Sequence, residues 1–388
     1  MKSTHYRPIV LLLLLVSLLI ACSQPAKQEV RQPTLYWDTS TPEAEGIDPA
    51  ELEAIHQDIT KGSYGLIDHF LVIRNDNLVF DQHYDQDYVT IAQQYDTTDF
   101  QYNYDHSAWH PFYNGTQLHS LQSVTKSVTS MLVGIAVDEG LISSLDSSIA
   151  PYFSTYDVDW SDERKSAITL HDLLTMRSGI AWDEENYDEA SNDCIVMELT
   201  DDWIDYVLTR KMDTLPGTTF EYNSGVSVLL GKIVHEATGK RIDQWAEEKL
   251  FGPIGITDYY WKKTPIGEID TEGGLYLSSH DLAKIGYLML NKGMWESKQI
   301  ISEAWVTAST EPIVNVSEKV GYGYQWWVPK HQGGQAEIFA GNGYGWQFVM
   351  AAPAYDLLVV FNGWNIHGQP EKSTWRALEE RILPNTKL

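Results

Sequence analysis

Ser123-Val124-Thr125-Lys126 sets a hydroxyl and an amine three residues apart, where a polar loop gives way to an apolar-periodic segment. In a helix, residues at that spacing share a face, so the Lys126 amine can lie against the Ser123 hydroxyl. A serine hydroxyl is almost inert near neutral pH. An amine beside it takes its proton only if burial or a neighbouring cation keeps that amine neutral. The pair is an activated nucleophile in outline, and the helix is expected to supply the burial. Two later stretches add to it. Phe220-Glu221-Tyr222-Asn223-Ser224-Gly225 sits just before an apolar helix, which points the Tyr222 phenol toward a cleft, where it can shuttle a proton if Lys126 stabilises its phenolate. Ala340-Gly341-Asn342-Gly343-Tyr344-Gly345-Trp346-Gln347 spaces three glycines between two strands. Glycine there lets a ligand approach backbone N–H groups closely, as an oxyanion hole requires.

The elements that must hold these groups follow from periodicity. Val124, Val128, Met131, Leu132 and Ile135 form a core-facing helical stripe, with Ser123, Lys126, Ser127 and Ser130 on a smaller polar face and Gly140 as the closing cap. Pro49 to Ile59 reads as a helix. Phe70 to Ile73 and Leu78 to Phe80 read as strands around the turn Asn75-Asp76-Asn77. Residues 83–118 lack clear periodicity and form a long loop leading to Ser123, either walling the site or inserted peripherally. Thr169-x-x-Asp172 starts a helix with a capping-box pair. Helical patterns occupy 201–210, 225–238, 242–249 and 280–291, the last capped by Ser279. Strands follow at Tyr324 to Val328, Glu337 to Phe339, Gln347 to Ala352 and Leu357 to Phe361, then a terminal helix near 373–382. Strands, then helices, then strands predict an α+β fold: an antiparallel sheet joining the first and last segments and flanked by helices, with a mostly helical second lobe. The expected α/β lobe is 35–155 with 320–388, and the helical lobe is 156–319.

Lys2 and Arg7 precede an apolar run from Ile9 to Ala21, too short for a comfortable membrane span and laid out as a secretory signal peptide over 1–21. The run ends in Leu19-Ile20-Ala21-Cys22 before Ser23. This resembles a bacterial lipobox, implying cleavage before Cys22, lipidation of its thiol and a short tether over 22–34. Ser23 resembles an outer-membrane sorting signal, so the expected location is the periplasmic side of the outer membrane. With Cys22 acylated only Cys194 remains, which excludes a disulfide framework and thiolate zinc sites. His-Glu-x-x-His is absent as well, so neither metal nor cofactor is expected. Cleavage removes two basic and no acidic residues, leaving 25 basic against 54 acidic groups, a net charge of −29. Nucleic acid is excluded as a natural partner of such a surface.

The order of the three elements resembles the serine beta-lactamase and penicillin-binding superfamily, on its class C and esterase side. Ser123 and Lys126 match its Ser-x-x-Lys signature, Tyr222 its Tyr-x-Asn box, and Gly341-Asn342-Gly343 the place of its Lys-Thr-Gly or His-x-Gly box. Leu173 to Gly179 and Gly273 to Ser279 also recur in such hydrolases, so the resemblance runs from about residue 40 to 365. Serine at 224 replaces the amide of the second box, and Asn342 replaces the cation of the third. Both departures resemble the esterases and the 6-aminohexanoate-dimer hydrolase type of amidase, whose glycine-and-glutamine stretch is matched here by Gly343-Tyr344-Gly345-Trp346-Gln347.

What the resemblance implies is an acyl-enzyme hydrolase domain over 35–388. Ser123 is the nucleophile, Lys126 and Tyr222 are base and acid in an order left open, and backbone N–H groups of Ser123 and Tyr344 form the oxyanion hole. Asn342, Gly343, Asn223 and Asp193 are expected at the substrate, a small ester, amide or peptide. From its charge alone, the acidic loop with Asp188 and Asp193 reads first as a solvated loop, and otherwise as a surface that attracts an amine-bearing substrate. A beta-lactamase or D-Ala-D-Ala peptidase is the alternative, and a non-catalytic penicillin-binding-like lipoprotein is the second.

Overall fold

A computed structural model describes residues 37–93, 118–187, 189–330, 338–365 and 370–388, all within a compact unit spanning 33–388. The expected signal peptide, Cys22 and the tether lie outside the described residues, as do Asp188 and most of the 83–118 loop. Tyr88–Ala92 forms a single helical turn within that loop.

Nine strands form the main sheet: β1 (Asp38–Thr39), β2 (Ile67–Arg74), β3 (Asn77–His83), β4 (Val314–Asn315), β5 (Val320–Tyr322), β6 (Trp327–Pro329), β7 (Phe339–Gly343), β8 (Gln347–Ala352) and β9 (Leu357–Gly363). Their spatial order is β1-β3-β2-β9-β8-β7-β6-β5-β4, antiparallel except for the parallel pair β1 and β3. The β2–β3 hairpin turns on Asn75 and Asp76, both at positive φ. This is the backbone that a tight two-residue hairpin needs, and short polar side chains tolerate it. Because β9 pairs with β2 along its length, the two ends of the chain build one layer, as expected from the sequence.

Both faces of the sheet are covered. Phe70, Val72, Met350, Val359 and Phe361 pack under α1 (Pro49–Thr60) and the C-terminal turns with Leu378 and Ile382. The alternate residues Leu71, Ile73, Val349, Leu358 and Val360 face the larger core with α2 (Val124–Asp138), α3 (Ser224–Thr238) and α4 (Ser279–Leu290). Two-sided burial explains why these strands read as continuous apolar runs. A three-stranded sheet of His119–Ser120, Leu275–Leu277 and Tyr260–Trp261 delivers the chain to Ser123.

Several expectations shift. The strand expected over 324–328 starts only at Trp327, because Gln325 adopts φ +61° and its N–H bonds to the Leu174 carbonyl. The 320–322 segment pairs with 327–329 instead. Ser278, not Ser279, caps α4 by accepting from Asp281 N–H, and the Ser279 hydroxyl meets Asn362 Oδ1 at 2.6 Å. The polar face of α2 also meets no water. Thr125, Lys126, Ser127, Thr129 and Ser130 are all buried, since α2 runs between β7 and α3.

Candidate active site

Ser123 stands at the N-terminal edge of α2, directly after Gln122, whose φ of +49° turns the incoming strand sharply into the helix. Positive φ at glutamine is strained, and its effect here is to set the Ser123 side chain on the wall of a cleft. Lys126 Nζ lies 2.8 Å from Ser123 Oγ. It also donates to the Glu272 carbonyl at 2.8 Å and to Glu272 Oε2 at 3.0 Å. The Tyr222 ring sits 5.2 Å from Nζ, stacked on Trp327 at 5.7 Å, and the Tyr222 hydroxyl hydrogen-bonds with Ser123. The three elements of the sequence pattern therefore converge.

The charge state differs from the expectation. Burial works against an ammonium at Lys126, but Tyr222, Glu272 and Glu184 around it hold its pKa well above the usual lysine range. Lys126 is thus a buried cation with a carboxylate in contact, not the neutral amine that burial alone would produce. Burial raises the Tyr222 phenol above its ordinary range, against the smaller opposing pull of Lys126 and the Ser123 hydrogen bond. Glu184, likewise raised by burial, is held by four donors: Trp182 Nε1 at 2.6 Å, Ser224 N at 2.7 Å, Ser224 Oγ at 2.5 Å and the Tyr187 hydroxyl.

The glycines of the third element serve packing first. A Cβ on Gly343 would lie 2.3 Å from the Leu121 carbonyl oxygen, and one on Gly341 would lie 2.9 Å from Val124 Cγ1. The close approach they permit is that of β7 to the first turn of α2, which brings Tyr344 beside Ser123. Gln347 Nε2 then donates to the carbonyls of Tyr344 at 3.3 Å and Gly363 at 2.5 Å, while its Oε1 accepts from Asn362 Nδ2 at 3.1 Å. These bonds pin the turn between β7 and β8.

A cleft of about 350 Å³ opens at Ser123, walled by Tyr222, Asn342, Gly343, Tyr344, Trp327 and Tyr187, with Trp346, Phe348 and Asn365 completing it. Asn342, Gly343 and Tyr344 thus sit where the sequence puts them. Asn223 does not. It is buried, and its Oδ1 accepts from Val226 N–H at 3.0 Å to cap α3. Asp193 is also displaced from the substrate. Its carboxylate accepts from Asp183 N–H at 2.8 Å and the Tyr206 hydroxyl at 2.5 Å and pairs with Arg210 at 3.0 Å. With Asp193 so occupied and Glu184 buried, the described part of the acidic loop presents no carboxylate to the cleft.

Sequence reasoning missed Glu272, Tyr187 and Trp327. Glu272 precedes the Gly273-Gly274 pair already noted, so proximity to a recognised segment was its only signal. Among the described residues, two groupings bring ligand-type atoms within 4.8 Å of one another: His69, Asp81 and His280, and Cys194, Glu198 and Glu272. Protein partners occupy both. Asp81 contacts His69 at 2.5 Å and His280 at 2.9 Å, and Glu272 contacts Lys126. Neither is identified as a metal site.

A beta-lactamase family model matches residues 69–378. The 6-aminohexanoate-dimer hydrolase of Paenarthrobacter ureafaciens is 23% identical over 298 residues, covering 68% of this chain and 70% of that protein. A candidate 6-aminohexanoate-dimer hydrolase from Bacillus anthracis superposes with a TM-score of 0.67 at 19% identity, over 89% of this chain and 85% of its own. A family VIII carboxylesterase superposes with a TM-score of 0.60 at 16% identity, over 89% and 98% respectively. With a match spanning the sheet, the Ser123 helix and the Gly-rich turn, this chain belongs to the beta-lactamase family and has its beta-lactamase/transpeptidase-like fold.

Proposed function

We propose that the chain is a serine hydrolase cleaving carboxylic esters or amides through an acyl-enzyme. The observation that carries this reading is the 2.8 Å contact of Lys126 Nζ with Ser123 Oγ beside the Tyr222 phenol, on the wall of one cleft. Ser123 Oγ attacks the carbonyl carbon, and backbone N–H groups of Ser123 and Tyr344 stabilise the oxyanion. Lys126, as a cation, stabilises the phenolate that Tyr222 becomes once its proton has been given up. Tyr222 gives its proton to the leaving group, and in the second half-reaction its phenolate takes a proton from the attacking water.

The cleft favours an uncharged acyl group. Its described walls carry six aromatic rings and neither lysine nor arginine, so the carboxylate of a penicillin or cephalosporin finds no ion-pair partner there. That supports ester or amide hydrolysis over beta-lactam hydrolysis. The relative named 6-aminohexanoate-dimer hydrolase is consistent with this reading. Export and anchoring through Cys22 belong to the proposal on the strength of residues 9–22.

Turnover of p-nitrophenyl esters, short omega-amino amides, nitrocefin and D-Ala-D-Ala peptides by wild type and Ser123→Ala tests the reading. Ester or amide turnover that falls at least about 10³-fold in the variant, with nitrocefin a poor substrate, is the expected result. Equal rates in the two proteins would remove the nucleophile.

A further inference from the structure

Acylation leaves one proton to be placed. Ser123 must lose its proton as it attacks, yet Lys126 is an ammonium whose three N–H bonds reach Ser123 Oγ, the Glu272 carbonyl and Glu272 Oε2. The Tyr222 phenol holds its own proton for the leaving group. The carboxylate that shares Nζ with Ser123 is that of Glu272, 3.0 Å from the nitrogen.

We propose that Glu272 is the terminal proton acceptor of the acylation step, taking a proton from Lys126 as Lys126 takes one from Ser123. The inference rests on the acyl-enzyme reading. Atoms balance as follows: the Ser123 O–H bond breaks and the Ser123 O–C bond to the acyl group forms. One N–H bond of Lys126 passes its proton to Glu272 Oε2, the neutral amine turns about its Cε–Nζ bond to present the freed lone pair to Ser123, and a new N–H forms with the serine proton, so Lys126 ends as it began. Tyr222 protonates the leaving group and becomes a phenolate. In deacylation that phenolate takes a proton from water, and Glu272 returns its proton through Lys126 to Ser123. The net reaction is hydrolysis alone.

The burial of this ion pair argues for a role beyond holding Lys126 in place. Ser123 Oγ and the Glu272 main-chain carbonyl already fix Nζ, and neither needs a carboxylate. Desolvating a carboxylate is costly even when it is paired, and the Glu272 side chain is only 5% exposed, against 1% for Lys126. The groups around it are arranged to leave it as the acceptor. Glu198, from the helix Asp193–Glu198, is driven by burial well above the usual carboxyl range and hydrogen-bonds with Glu272. Lys262 lies 3.7 Å from Asp270 and supplies the second buried cation. Cys194 is a thiol kept neutral by burial. Glu184 is held by its four donors, and the Tyr222 ring lies 5.2 Å from Lys126 Nζ. The Lys126 ammonium that contacts Glu272 also touches Ser123 Oγ.

The test is the pH profile of kcat/KM for p-nitrophenyl butyrate with wild type, Glu272→Gln and Glu272→Asp. Glutamine keeps the shape and an acceptor oxygen for Lys126 but cannot take a proton. Glu272→Gln is expected to lose on the order of 10²–10³ in kcat/KM, the scale of general-base catalysis, with KM within about 3-fold. It is also expected to lose the acid limb of the profile. Glu272→Asp restores the limb and at least about 10-fold of the rate. A Glu272→Gln enzyme with wild-type rate and an unchanged acid limb overturns the relay. Should that variant not fold, fluorophosphonate labelling against pH in Asp270→Asn, which removes the neighbouring carboxyl raised to about 6, decides: an acid limb that persists supports the relay, and a flat profile overturns it. Wild type that is not labelled at Ser123 at any pH defeats the acyl-enzyme reading itself, a result distinct from the failure of Glu272 alone.

Discussion

Replacing Gly343 by alanine tests whether the cleft is built by the contact of β7 with the start of α2. The added Cβ would sit 2.3 Å from the Leu121 carbonyl oxygen, 3.0 Å from Gln347 Cβ and 3.1 Å from Gln122 Cβ. The first of these is about 1 Å short of ordinary contact, and its partner is backbone, which cannot swing aside as a side-chain tip would. The Leu121 carbonyl also accepts the Val124 N–H at 3.1 Å, so relieving the clash moves either the first turn of α2, with Ser123 in it, or the Tyr344 turn. A displacement of about 1 Å between Ser123 and the oxyanion donors proposed above is expected to cost roughly 10²-fold in rate. Overpacking of this kind costs about 1–3 kcal/mol in stability.

The assay is steady-state ester hydrolysis together with fluorophosphonate labelling and a thermal melt. Gly343→Ala is expected to lose kcat and labelling rate together, with a lower Tm. Gly140→Ala is the matched control. Gly140 has φ +73° and nothing within 4 Å of its Cβ position, so alanine there costs only the left-handed strain of about 1–2 kcal/mol and leaves the kinetics alone. A Gly343→Ala enzyme within 2-fold of wild type would refute the claim that this contact sets the distance between Ser123 and Tyr344.

Two further outcomes follow from buried polar groups. Gln347→Leu removes the donor to the Tyr344 and Gly363 carbonyls and the acceptor for Asn362 while keeping an apolar filler. The orphaned groups cost about 2–4 kcal/mol in a denaturant melt, with a loss of kcat because the turn is no longer pinned. Asp270 gives a pH signature. Burial, with Glu272 beside it, raises its carboxyl from 3.8 to about 6. Between those values the folded chain holds a proton that the unfolded chain has released, so this group's contribution to stability declines as pH rises through the window and is level above it. The full effect is on the order of 3 kcal/mol. Asp270→Asn should remove it, so the difference in Tm between variant and wild type grows in the variant's favour from pH 4 to pH 6. A constant difference across that range would rule out the raised carboxyl.

How far the sequence reaches is visible element by element. The β2–β3 hairpin, β8, α1 and α3 depend on local period, turn residues and caps, and they appear within a few residues of where the pattern puts them. The slip from Ser279 to Ser278 at α4 separates two adjacent serines that are chemically alike, and the choice falls to Asn362, a partner on another strand. Gln325 turns away from the expected strand because a carbonyl 151 residues earlier, Leu174, takes its N–H.

In the site, Ser123, Lys126, Tyr222 and the glycine turn were legible because each carries its chemistry in a short local string. Asn223 looks the same in sequence whether it caps a helix or meets a ligand, and only the fold shows that its oxygen faces Val226 N–H. Asp193, likewise, reads as one more charge in an acidic loop until Arg210 and Tyr206 close on it. The sequence by itself determined which groups are available to react and the order in which the chain presents them. Tertiary structure decided their protonation, because the carboxylate that keeps Lys126 charged comes from Glu272, 146 residues away, and pKa depends on what is within a few ångströms in space.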